Sequence, residues 1–182
     1  MTRKLRALWA LHVTGGLSNA DLITLLQHDS EHIRSWAVQL IAEDRQVPDA
    51  ALDEFARMAR EDGSALVRLY LASALQRIDV LARWDVLEGL VSREEDAVDR
   101  NLPLMTWYAF EPAVTTDLSR SMELALSSEL PKILPFTVRR IASEDSDRAL
   151  EILSGALGVV EDPEKQAVIL DGINQMMESD DQ

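Results

Sequence analysis

Two histidines, His28 and His32, stand four residues apart with Asp29 and Glu31 between them. Imidazole and carboxylate groups at this spacing on one helix face could bind a zinc ion. These residues fall, however, where one predicted helix ends and the next begins, so the two rings are not expected to share a face. The pattern therefore favours a solvated turn over a metal site. His12 replaces an apolar residue on a predicted helix, which favours a hydrogen-bonded, partly buried imidazole over a metal ligand.

Neighbouring carboxylates that could work as catalytic acid and base occur at 94–96 and at 144–145. Such pairs need a fixed separation and partial burial to split their pKa values, and predicted turns of an acidic chain offer neither. The sequence contains no nucleophile elbow, phosphate-binding loop or dinucleotide fingerprint. It also contains no cysteine, which excludes disulfides, cysteine zinc sites and iron–sulfur clusters within these residues. We therefore expect no catalytic, cofactor-binding or metal-binding residue, and a chain that is not itself an enzyme.

The charge is acidic and uneven over the 182 residues. The net charge is −14, with 13 acids and 10 bases in residues 1–90 but 19 acids and 8 bases in residues 91–182. Binding to nucleic acid or to an anionic membrane surface requires the opposite charge, so neither is expected. An acidic surface suits a basic protein partner or maintains solubility.

No apolar run approaches the roughly 20 residues that span a bilayer. After Arg3, Lys4 and Arg6 the apolar stretch 7–11 is too short for a signal peptide, so no direct membrane insertion is expected.

A five-point apolar template at offsets 0, +3, +4, +7 and +8 recurs six times along the chain. Its first positions are Leu5, Ile33, Val67, Leu102, Leu134 and Ile169, which lie 28, 34, 35, 32 and 35 residues apart. Shorter amphipathic stripes lie between the copies, so helices of two kinds alternate. We call them template helices and intervening helices. A helical unit repeated at this period is typical of a stacked solenoid. The sequence predicts an all-α fold, an α-solenoid of about five to six helix pairs over residues 1–182.

The first template copy begins almost at residue 1, without an intervening helix before it. A complete solenoid normally begins with a capping element, so the chain is expected to open in mid-repeat and to be a piece of a larger polypeptide. Within it, Ser18 or Asn19 is expected to cap a helix, and Pro112 to end or kink one. Gly155 and Gly158 lie in a helical stripe, which indicates close packing at that point.

Four aromatic residues lie on template helices. Trp9 and Trp36 are expected in the core between repeats. Trp107 and Tyr108 are adjacent and cannot point the same way, so one is expected in the core and the other on the helix face with which solenoids bind partners. Trp107 and Tyr108 are therefore the candidate interaction surface.

Two strings, 29–34 (DSEHIR) and 62–68 (DGSALVR), resemble HEAT-type, armadillo-like repeats. Those repeats place an Asp in the inter-helix turn and an Arg at the start of the second helix. The resemblance implies a right-handed superhelix in which Arg34 and Arg68 are structural ladder residues that reach back to a turn carboxylate of a neighbouring repeat. Later copies depart from this pattern, since Asn101 stands where the helix should open with Val-Arg.

Longer strings, 5–12 (LRALWALH), 33–42 (IRSWAVQLIA), 67–77 (VRLYLASALQR) and 101–112 (NLPLMTWYAFEP), resemble the helical-repeat segment of large bacterial membrane-bound dehydrogenases of the planctomycete type. The resemblance is best over residues 1–142, and residues 143–182 add a C-terminal helix pair and an acidic tail. In that family the segment lies between a sugar-dehydrogenase-like β-propeller and a cytochrome c-like domain, and neither is present in this sequence. The resemblance implies a periplasmic or envelope location, whereas a free-standing chain would be cytoplasmic.

Three functions remain open at this point. The first is a non-catalytic scaffold or interaction module whose partner is a protein or a neighbouring domain of the same polypeptide. The second is a segment of an oxidoreductase whose catalytic residues lie outside this chain. The third, a HEAT-like base-excision enzyme, is disfavoured by the acidic charge. The oligomeric state is left open.

Overall fold

A computed structural model describes residues 2–144 and 146–180, and this part of the chain consists of helices and turns without a strand. The predicted all-α class is confirmed. The α-helices are α1 (Thr2–Val13), α2 (Asn19–Leu25), α3 (Glu31–Ile41), α4 (Asp49–Glu61), α5 (Ala65–Leu75), α6 (Trp84–Val91), α7 (Leu102–Val114), α8 (Leu118–Leu126), α9 (Ile133–Ala142), α10 (Asp147–Val159) and α11 (Pro163–Asp180). Single 3-10 turns form at Val80–Ala82 and Glu94–Asp96.

The alternation of helices follows the sequence pattern. The odd-numbered helices hold the six template copies, and the even-numbered helices are the intervening ones. The predicted C-terminal pair corresponds to α10 and α11, while residues 181 and 182 of the acidic tail lie outside the described residues.

Local signals in the sequence set several helix ends. Ser18 precedes α2 in a capping box, in which its hydroxyl accepts from the amide of Asp21 at 3.2 Å and the Asp21 carboxylate accepts from the amide of Ser18 at 2.9 Å. This exchange satisfies two backbone donors that the helix itself leaves unpaired. Pro112 lies inside α7, which runs on to Val114 before it ends. The missing proline N–H thus removes one hydrogen bond near the end of the helix.

The chain forms two compact units, Met1–Leu90 and Val91–Gln182. In the first unit, α1 packs against α3, and α3 packs against α5. The intervening helix α2 contacts α4, and α2 and α4 also contact the template helices that follow them. Amphipathic helices of this length cannot bury their apolar stripes alone, so each stripe is covered by its neighbours. The largest fully buried apolar side chains of this unit are Leu26, Ile41, Phe55, Met58, Leu71, Leu75, Leu87 and Leu90.

The second unit repeats this arrangement. Here α7 packs against α9, α9 packs against α11, and the intervening helices α8 and α10 contact each other. Its fully buried side chains include Leu102, Phe110, Leu130, Ile133, Ile141, Leu153 and Ile169. One continuous solenoid over residues 1–182 stays a prediction.

Candidate functional site

The two residues of the candidate interaction surface have different environments on α7. The Trp107 ring is half-buried, with its centroid 6.1 Å from that of Phe110 and 5.3 Å from that of Phe136 on α9. The Tyr108 side chain points elsewhere and is 54% exposed. Trp107 therefore fixes α7 on α9, and Tyr108 is the residue of the two that offers an aromatic ring to a partner.

A row of aromatic rings links three successive template helices in the first unit. Trp9 on α1 meets Trp36 on α3 edge to face, with centroids 4.7 Å apart, and Trp36 lies 6.2 Å from Tyr70 on α5. Trp36 and Tyr70 are half-buried and Trp9 is 36% exposed, so the row lies at the edge of the core. Tyr70 occupies the same template position, +3, as Trp36, but its place in this row was not predicted from the sequence.

Arg34 connects α3 to the turn that precedes α5. Its Nε and Nη2 donate to the two carboxylate oxygens of Asp62 at 2.7 and 2.8 Å, and its Nη1 donates to the backbone carbonyls of His28 and Asp29. This hydrogen bond to Asp62 raises the pKa of Arg34. The planar guanidinium thus joins the turn before α3 to the turn before α5, through a carboxylate that lies 28 residues from Arg34 in the sequence.

Asp62 is held ionised by its surroundings. Burial on its own raises the pKa of Asp62, but the hydrogen bonds from Arg34 and the Ser64 amide and the charges of Arg34 and Arg68 outweigh it, and the pKa is lowered. Arg68 is only 2% exposed, and its Nη1 donates to the backbone carbonyl of Asp62 at 2.7 Å. The two arginines assigned as ladder residues therefore meet at Asp62, one at its carboxylate and the other at its carbonyl.

An open groove of about 560 Å³ lies beside this pair, lined by Leu26, Gln27, His28, Asp29, Arg34, Arg57, Asp62 and Gly63. Arg57 forms ion pairs with Glu54 and Glu61, which raise its pKa. Both arginines that line the groove are thus paired with carboxylates of the same chain. They stabilise the turns around the groove, and the groove itself offers no strong indication of a ligand.

Two of the histidines, His12 and His28, form hydrogen bonds within the described part of the chain. His28 lies in the turn before α3, and its Nδ1 accepts from the amide of Ser30 at 2.9 Å. His32 lies in the first turn of α3. His12 is half-buried and its Nε2 lies 2.7 Å from a carboxylate oxygen of Glu43. Within residues 2–144 and 146–180, no three histidine, cysteine, aspartate or glutamate side chains are grouped so that they could hold a metal ion.

The acidic clusters differ in burial. Glu94, Glu95 and Asp96 form a 3-10 turn in which the two glutamates are exposed, whereas Asp96 is only 3% exposed. Nothing in the local sequence distinguishes Asp96 from the two glutamates, since all three lie in one acidic run. Glu144 is exposed, and Asp145 lies outside the described residues.

Comparison with known protein families, curated proteins and solved structures finds no match to this chain. In the part of the chain that the structure describes, no helix combines the length and the apolar character needed to cross a membrane.

Proposed function

We propose that this chain is a HEAT-like α-solenoid that acts as a non-catalytic interaction and spacing module within a larger multidomain protein. The observation that carries the proposal is the order of helix contacts inside each unit. Template helix packs on template helix in chain order, and intervening helix packs on intervening helix. In repeat proteins each helix pair buries its apolar face against its neighbours in this way, and the stack presents an extended surface to partners.

The contacts of Arg34 add support. Its bidentate bond to Asp62 joins a template helix to the turn of the following repeat, and the side chains involved are largely buried, 17% and 7% exposed. Such a bond fixes the offset between neighbouring repeats. Arg34 and Arg68 accordingly hold the stack together and do not contact a partner.

The partner surface is proposed at Tyr108, which is exposed on the template helix α7, whereas the neighbouring Trp107 packs against α9. Tyrosine and tryptophan are enriched among the residues that dominate protein interfaces, because they combine large apolar area with a polar group. The partner is a protein or a neighbouring domain of the same polypeptide. The net charge of −14 favours a partner with basic groups at the contact.

Site-specific cross-linking tests this proposal. A photoreactive benzoylphenylalanine replaces Tyr108 in cells of the source organism, and the cross-linked products are detected with an antibody to this chain. We expect a cross-link at position 108, detected as an adduct of defined mass for a separate partner, or by mass spectrometry of the digested band as a peptide joined to a neighbouring domain of the same polypeptide. The matched control places the same residue at Leu150, which is 40% exposed on the intervening helix α10, and should give no adduct. Equal labelling at both positions, or at neither, would overturn the proposed surface.

The same immunoblot without irradiation tests the larger parent protein. A band several times larger than 20.4 kDa in the envelope fraction supports a spacer within a multidomain enzyme. A cytosolic band at 20.4 kDa contradicts that part of the proposal and indicates a free-standing adaptor.

A further inference from the structure

The aromatic row of the first unit, formed by Trp9, Trp36 and Tyr70, makes no internal hydrogen bond with its polar groups. Within the described residues, neither the two indole N–H groups nor the Tyr70 hydroxyl has a partner in the chain. Trp36 and Tyr70 are half-buried, and neither holds a buried polar atom that lacks a partner, so their donors reach the surface. The row therefore offers a ligand both apolar ring area and open hydrogen-bond donors.

Trp36 and Tyr70 occupy matching places on α3 and α5. The residues that the core leaves uncovered along these two helices and just after them follow at the same spacings of four, three and four, and they are His32, Trp36, Gln39 and Glu43 on one side and Leu66, Tyr70, Ser73 and Arg77 on the other. Arg77 Nη1 donates to Gln39 Oε1 at 3.1 Å, which joins the two lines. The surface is thus built inside the first unit by adjacent template helices and needs no free chain end.

We propose that this row binds a proline-rich segment of a partner protein in the polyproline II conformation, with acidic residues beside the prolines. A polyproline II helix has no internal hydrogen bonds, so its backbone carbonyls remain able to accept from the two indoles and the phenol. Surfaces lined by aromatic rings recognise such segments, because the peptide is already extended and loses little conformational entropy on binding.

The spacing of the rings fits this ligand. The ring centroids of Trp9 and Trp36 are 4.7 Å apart and those of Trp36 and Tyr70 are 6.2 Å apart, so the outer two rings are separated by at most about 11 Å. One turn of polyproline II has three residues with a rise of about 3.1 Å each, which is roughly 9 Å. Prolines three residues apart on one side of the peptide can therefore contact Trp9 and Tyr70, with Trp36 beneath the turn between them.

Two bases without an ion pair in the described chain stand beside the row. Arg6 is exposed three residues before Trp9, on the same side of α1. Arg77 lies two helical turns beyond Tyr70 and is bonded only to the neutral Gln39 amide among the described residues. Glu43 is already paired with His12 at 2.7 Å. The two guanidinium groups favour acidic residues in the ligand, although the chain as a whole is acidic.

Fluorescence anisotropy of a labelled peptide tests the inference on the 182-residue chain, at protein concentrations up to about 1 mM in 25 mM sodium chloride. The probe has eight prolines, one aspartate at each end and blocked termini. We expect saturable binding, at least about threefold weaker when lysines replace the aspartates, and none when alternating glycine and serine replace the prolines. No binding of the aspartate peptide, or equal binding of the glycine–serine peptide, overturns the inference.

Two matched variants locate the binding surface. Tyr70→Phe removes one donor and keeps the ring, so the affinity for the aspartate peptide should fall about threefold to tenfold while the urea midpoint stays unchanged. Tyr108→Phe makes the same change in the second unit and should leave this affinity as it is, since the inference does not depend on Tyr108. An unaltered affinity in Tyr70→Phe, or an equal loss in Tyr108→Phe, shows that the row is not the binding surface.

A second pair of variants tests the charge of the ligand. Arg77→Gln should reduce the preference for the aspartate peptide over the lysine peptide, whereas Arg100→Gln, at an exposed position in the second unit, should keep it. Circular dichroism checks the helix content of every variant, and Arg6→Gln replaces Arg77→Gln if the latter loses helix. A preference that survives removal of either base unchanged, or a lysine peptide that binds as tightly as the aspartate peptide, overturns the acidic ligand.

Discussion

The guanidinium of Arg34 and the carboxylate of Asp62 form two parallel hydrogen bonds of 2.7 and 2.8 Å across 28 residues of sequence. Both side chains are largely removed from water, and Asp62 is held in place a second time by Arg68, which binds its backbone carbonyl. The position of the turn before α5 relative to α3 therefore depends on one charged cluster as well as on apolar packing.

Removing the arginine side of this pair should destabilise the chain more than removing a comparable exposed pair. Arg34→Gln leaves Asp62 without its main partner in a site that is 7% exposed, and we expect the free energy of unfolding to fall by about 1–3 kcal/mol. Arg140 pairs with both Glu111 and Glu144, but these three side chains are 29%, 42% and 34% exposed, so Arg140→Gln should cost less than about 1 kcal/mol even though it removes two ion pairs. Urea denaturation followed by circular dichroism measures both, and equal losses would contradict the difference in burial.

Acid should weaken the contribution of Asp62 in a definite pH range. Its pKa is lowered in the folded chain, so its stabilising effect is complete above the ordinary value near 3.8 and is lost as the pH falls from there through the lowered native value. We expect the stability difference between the unaltered chain and Asp62→Asn to be constant above about pH 5 and to shrink below about pH 4. Urea midpoints at half-unit steps from pH 2.5 to pH 6 measure this difference. A difference that grows on acidification would show that the sign is wrong.

The alternation of helices was predictable because it depends on local periodicity. Which faces meet was not, because it depends on residues far apart in sequence. Trp107 and Tyr108 illustrate this limit, since adjacency shows that only one of them packs inward. The ring that decides between them is Phe136, on another helix. Arg34 was recognisable from its place in a HEAT-like string, whereas the buried Asp96 resembles its exposed neighbours in every local respect.

The glycines also show that contacts between helices are hard to predict from the local sequence. The expected close packing at Gly155 and Gly158 is wrong, because a Cβ built at either position meets nothing within 4 Å. The tightest approach at a glycine on these helices occurs instead at Gly172, where a Cβ would lie 2.3 Å from Cγ1 of Val138. Gly172 occupies the +3 position of its template copy, and the same position holds Trp36 in an earlier copy. A glycine at a position that elsewhere holds a large side chain was therefore a sequence signal for the close contact with Val138.

Alanine at these glycines should have opposite effects. Gly155→Ala removes a flexible residue from an exposed helix position and should raise the free energy of unfolding by about 0.5–1 kcal/mol. Gly172→Ala forces α11 away from α9 and should lower it by about 1–3 kcal/mol. Thermal unfolding and urea titration of the two variants measure this contrast.

A second substitution shows whether the Gly172 effect comes from the contact with Val138. Val138→Ala creates space at Cγ1, so Gly172→Ala should cost less in that background than in the unaltered chain, with a coupling of at least about 0.5 kcal/mol. If the two losses simply add, the close approach in the structure does not determine the stability of α9 against α11.

Thr137 on α9 is 0% exposed, and its buried hydroxyl has no hydrogen-bond partner among the residues that the structure describes. Keeping a polar group there costs free energy, because the hydroxyl leaves water and gains no bond in return. Thr137→Val replaces the hydroxyl with a methyl group of similar shape, and we expect the free energy of unfolding to rise by about 1 kcal/mol. Ser35→Ala is the matched control, since the buried Ser35 hydroxyl donates to the carbonyl of Glu31 at 2.8 Å, and its removal should bring no gain. Urea denaturation at neutral pH compares the two, and a loss of stability in Thr137→Val would mean that the hydroxyl is bonded in solution.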